Sequence, residues 1–91
     1  MDHIVNRESV EMRSFATEAS EIADNLENVC SHLKHELYDA NSYMQDRSGQ
    51  DAITIVSELV EETVLAVNYI RTLADKLNKS AVLLEESDGL L

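Results

Sequence analysis

His32, His35, Glu36 and Asp39 are the side chains best suited to chemistry here, because imidazoles and carboxylates together can hold a divalent cation. His32 and Glu36, like His35 and Asp39, stand one helical turn apart, so each pair can meet on a helix surface. Carboxylate-bridged sites inside helical bundles instead project inward with a Glu-x-x-His pattern. On a helical wheel these residues point away from the apolar seam, which favours a solvated face over a metal-binding bundle enzyme. The composition has a single cysteine, Cys30, so no intramolecular disulfide and no cysteine-based zinc cluster can form. Its place in an apolar column makes it a small packing residue before it is a redox-sensitive thiol. No Ser/His/Asp set, phosphate loop or inward carboxylate pair can be assembled. The chain therefore reads as a non-enzyme with no catalytic residue, no metal and no cofactor.

What positions these residues is helix. Met12, Phe15, Ala19, Ile22, Leu26, Val29 and Leu33 alternate spacings of three and four, the pattern of a bundle or coiled-coil seam. Beside that seam runs a column at strict seven-residue intervals: Ala16, Ala23, Cys30, Leu37 and Met44. After Leu33 the seam continues through Leu37, Ala40 and Met44, a stutter of one turn. The second half repeats the scheme. Val56, Leu59, Thr63, Ala66, Ile70, Leu73 and Leu77 form its seam, with Ile53, Val60, Val67, Ala74 and Ala81 as its column. Aromatics are only 4% of the chain against 44% hydrophobic residues, so the core must be aliphatic, which suits packed helices better than a sheet.

Between the halves lies "DRSGQDA". Ser48 is placed to cap a second helix, with Asp51 reaching back in a capping box. Gly49 can relax the backbone where the first helix ends, and Arg47 can serve its last carbonyls. The expected architecture is all-α: one antiparallel helix-turn-helix hairpin domain over 1–91. Its helices span about 8–45 and 51–85, its turn 46–50, and a flexible tail 86–91. Tyr38, Tyr43 and Tyr69 fall near the seam edges, where amphipathic rings rim a bundle or an interface.

The apolar arc of the second helix, from Leu73 and Ile55 round to Val64 and Val82, covers about half the circumference, whereas one seam needs roughly a 100° stripe. Surplus apolar surface favours association at about 25 cal/mol per Å². The expected state is a four-helix bundle of two hairpins, with Ala16, Ala23, Cys30, Leu37, Met44, Ile53, Val60, Val67, Ala74 and Ala81 as the partner interface. A formal charge of -11 repels phosphate backbones and anionic membrane surfaces, which argues against nucleic acid as a partner. No apolar run approaches the roughly twenty residues of a membrane span, so insertion is not expected. The same charge penalises a homodimer, and a different partner hairpin is slightly favoured over a copy. The opening "MDHIVNRESVEMR" has no basic region leading into an apolar stretch, so no ordinary secretory signal is expected.

The chain resembles the WXG family of small type VII secretion substrates, the early-secreted-antigen-like hairpins. "SGQDA" resembles the family turn and the start of its second helix. "NYIRTLADKLNKSAVLLEESD" is similar to its second-helix tail. Arg47 stands where the family has its turn Trp. In "LEESD", Leu84 stands where the export-signal Tyr falls, and Asp88 keeps the acid. The resemblance implies a dimerising hairpin, secreted without a cleaved signal peptide, with Leu84 and Asp88 as a candidate export signal read by the secretion machinery. It implies a substrate, or a targeting partner for a related small protein or for the N-terminal helical domain of a secreted effector. The alternative from another class is a cytoplasmic coiled-coil adaptor or regulator with no secretion role.

Overall fold

The computed structural model describes residues 7–87 and Gly89. Among them are two α-helices, α1 (Arg7–Ala40) and α2 (Arg47–Ser87), with no strand. The helices pack against each other as the expected helical hairpin. The chain divides into two compact units: a terminal unit, Met1–Ile22 with Tyr69–Leu91, and a turn unit, Ala23–Asn68.

The connection differs from its expected form. α1 stops at Ala40, and the turn closes on its own polar groups rather than on a glycine. The Asn41 amide donates to the Leu37 carbonyl at 3.0 Å, and the Met44 amide to Ala40 at 2.8 Å. Ser42 gives both its amide, at 3.1 Å, and its hydroxyl, at 2.6 Å, to the Asp39 carbonyl. Gln50 donates to the Met44 carbonyl at 2.5 Å, so its side chain closes the turn from the α2 side. The carbonyls that Arg47 was expected to serve are thus supplied locally.

α2 begins four residues earlier than the spacing predicts, because Asp46, not Ser48, is its cap. The Asp46 carboxylate accepts the Gly49 amide at 2.7 Å, and the Asp46 carbonyl accepts the Gln50 amide at 2.9 Å. Asp46 satisfies a donor that the first turn of any helix leaves open. Arg47 and Ser48 are then exposed residues of that first turn, and exposed Asp51 lies past it, so the expected Ser48–Asp51 capping box does not form. Gly49 is buried and does not have a positive φ. Its requirement is room: a Cβ there would stand 2.7 Å from the Asp46 Oδ1 and 2.9 Å from the Met44 Cβ. The left-handed glycine is Gly89, at φ +74°, whose amide donates to the Glu86 carbonyl at 3.0 Å just past the end of α2.

In the terminal unit the residues closed off between the helices are Ser9 and Ala16 from α1, and Ala74 and Ala81 from α2. In the turn unit they are Ala23 and Cys30 against Val60 and Val67. These are the seven-residue columns, and they form the core of the hairpin itself. Small side chains at that spacing let two helix axes approach closely, and the larger seam residues are displaced to one side.

Candidate functional site

The exchange of roles between seam and column relocates the surface available to a partner. Ala16, Ala23, Cys30, Val60, Val67, Ala74 and Ala81, expected at a partner interface, are each at most 4% exposed inside this chain. Leu37, Met44 and Ile53, from the same columns, are half-buried beside the turn. An uncovered apolar row lies one position before several of the buried residues, and Val10, Ile55, Leu65 and Leu83 are exposed apart from it. In the terminal unit Phe15 is 56% exposed, Ile22 53% and Leu73 38%; in the turn unit Val29 is 53% exposed and Leu59 54%.

Helix geometry makes each row a face. A residue one before a buried position lies about 100° round the helix, and in an antiparallel pair that turn leads both helices to the same side. In the terminal unit Phe15, Ile22 and Leu73 therefore flank a floor of half-buried Met12, Ala19, Ile70 and Leu77. In the turn unit Val29, Leu59 and exposed Ala66 flank Leu26, Leu33, Val56 and Thr63. On that same side the turn unit has a hollow of about 210 Å³, lined by Leu33, Glu36, Leu37, Ala40, Met44, Ala52, Ile53 and Val56.

The opposite side of the terminal unit carries an ion pair. The Arg13 guanidinium forks onto Glu85, with Nε to Oε2 at 3.0 Å and Nη2 to Oε1 at 2.5 Å. That hydrogen bond, a further one from Ser9, and the nearby positive charge hold the Glu85 carboxyl below its ordinary value, against an opposing push from desolvation. The same pairing raises the Arg13 pKa. Ser9, the buried polar residue of this core, thus meets a charged acceptor.

The histidine pairs form as their spacing predicts, His32 to Glu36 at 3.0 Å and His35 to Asp39 at 3.8 Å, all on exposed side chains. Among the described residues no group of three or more His, Cys, Asp or Glu side chains is placed to hold a metal ion. Cys30 is a free, buried thiol. Tyr38, Tyr43 and Tyr69 are exposed. Leu84 is half-buried at the end of the terminal unit's apolar floor, and Asp88 lies outside the described residues. No described helix is long and apolar enough to cross a membrane.

Asp46 and Gln50, which build the turn, and the Arg13–Glu85 pair escaped the sequence reading. Asp46 had a readable signal, an acceptor three residues before a glycine amide. A pair 72 residues apart has none in a single sequence.

No protein-family model matches this chain, and neither the curated proteins nor the solved structures include a significant match.

Proposed function

We propose that this chain is a non-enzymatic partner-binding hairpin whose apolar face is completed by another helical hairpin, giving a four-helix bundle. The observation that carries the reading is the exposure of Phe15 and Ile22 in the terminal unit and of Val29 and Leu59 in the turn unit, in each case beside a half-buried, largely aliphatic floor. Exposed apolar patches of that kind mark interaction sites on proteins. Helix-in-groove recognition uses the same repeat of anchors. The interface so defined is the Phe15–Ile22 row in the terminal unit and the Val29 and Leu59 row in the turn unit, not the Ala/Cys/Val columns, which the chain already uses for itself.

The biological setting we propose is type VII secretion, as a WXG-like substrate or as the targeting partner of an effector. This rests on the resemblance of "SGQDA" and of the second-helix tail. In this role the partner, or the two proteins together, supplies the aromatic signals replaced here by Arg47 and Leu84.

The test is native mass determination of the purified chain, alone and with the product of the adjacent gene. A one-to-one complex that Phe15→Glu and Leu59→Glu abolish is the expected result. A folded monomer that ignores its neighbour at micromolar concentration would overturn the binding reading. Export that persists after loss of the secretion ATPase would overturn the type VII setting alone.

A further inference from the structure

The charges bordering the apolar face differ from those on the rest of the hairpin. In the terminal unit, Glu11 and Glu18 sit on the outer side of the Phe15–Ile22 row and Glu8 continues that row, all exposed, and Lys76 is the base on the corresponding edge of α2. In the turn unit the corresponding positions hold Glu36 and Asp39, each beside its histidine, and Glu62, with no Lys or Arg. Arg13, Lys34 and Arg71 lie elsewhere. Arg13 is committed to Glu85 on the ion-pair side, and Lys34 borders a different hollow with Val60, Glu61, Val64 and Leu65. By helical phase Arg71 also falls on the ion-pair side.

Resting on the reading that the apolar face is a docking surface, we infer that its occupant is a helical protein of opposite charge. That occupant carries Lys or Arg beside its own apolar row, at positions that meet Glu11 and Glu18 on the terminal unit and Glu62 on the turn unit. Flanking charges of this kind set partner choice in paired helices, through attraction to the right partner and repulsion of the wrong one. A second copy would bring an acidic border onto an acidic border, with -11 on each chain. A basic-edged hairpin covers the same apolar anchors and neutralises the border as it docks.

A charge-reversed copy of this chain, Glu11→Lys with Glu18→Lys and Glu62→Lys, is the probe. All three positions are exposed, and circular dichroism checks that the variant stays helical. Sedimentation equilibrium of the wild type, the variant and their mixture is compared in dilute buffer and in 0.5 M salt. The mixture is expected to form a one-to-one complex at least roughly tenfold tighter than either protein with itself in dilute buffer, with the advantage shrinking in high salt. Phe15→Glu in the variant should abolish that complex.

A wild-type dimer as tight as the mixture and indifferent to salt would overturn the basic-partner inference while leaving the docking face intact. No association of any combination, even in high salt where repulsion is screened, would overturn the docking face itself. A mixed complex that survives Phe15→Glu would place the contact elsewhere and overturn both.

Discussion

Where α1 meets α2 in the terminal unit, the buried contacts are Ser9, Ala16, Ala74 and Ala81. In the turn unit they are Ala23, Cys30, Val60 and Val67. The first set has no side chain larger than a hydroxymethyl, whereas the second sets branched valines of one helix against smaller residues of the other. The terminal unit lacks a connecting loop and carries the Arg13–Glu85 pair between its helices. The turn unit is closed by the chain itself, with Asp46 capping and Gln50 bracing. Both units bury the seven-residue column and leave the bulkier row outside. Burial in this fold thus follows close approach of the helices, not side-chain size.

The sharpest way to break this contrast is to enlarge a terminal-unit contact. Ala81→Leu, at a fully buried position, should lower stability by about 3 kcal/mol in urea unfolding, at the upper end for overpacking. An unchanged midpoint would mean the helices are not in close contact there. In the turn unit the informative change is truncation. Val67→Ala removes two buried methyl-sized groups and should cost roughly 2 kcal/mol by the same measurement, from lost transfer energy and the cavity left behind.

The turn gives the next effect down. Gly49→Ala should destabilise by about 1–2 kcal/mol, even though alanine is the better helix former, because the Met44 Cβ is fixed by its backbone and the Asp46 carboxylate is the cap. Asp46→Ala should cost about 1 kcal/mol and Asp46→Asn much less, read as thermal midpoints. If Ser48 were the true cap, Ser48→Ala would show the loss instead.

The smallest effect separates the terminal unit by pH. Glu85 has a lowered pKa in the folded chain, so its contribution to stability is present above its ordinary value near 4.5 and is lost as pH falls through the lower folded value. Glu85→Gln should flatten the stability profile in that acidic window and leave a slight deficit at neutral pH. Exposure of Arg13 to solvent and salt keeps the deficit slight. An acid profile identical to the wild type would exclude the pair as a contributor.

The helices, their hairpin order and the apolar surplus were legible in the sequence, because periodicity reports which side of a helix avoids water. Which apolar row faces the other helix was not legible. Phe15 and Ile22 offer more area than Ala16 and Ala23, and a single sequence does not reveal how near two axes come. One clue was available: the column keeps its interval of seven without interruption from Ser9 to Met44, while the seam stutters after Leu33. The turn was misplaced by four to five residues because Ser48 and Asp51 match a familiar capping pattern. Asp46, one position before the arginine, is the residue that accepts the Gly49 amide. The histidine–carboxylate pairs were legible because their geometry is local to one helix.

Cys30 is the chain's single sulfhydryl, and it lies only 3% exposed between α1 and α2 of the turn unit. A thiol-reactive dye can reach it only when those helices part, so the speed of colour development in the untouched protein is a clock for their separation. A ligand that seals the neighbouring surface would slow that clock, which makes this sulfur a native reporter of docking that needs no engineered label.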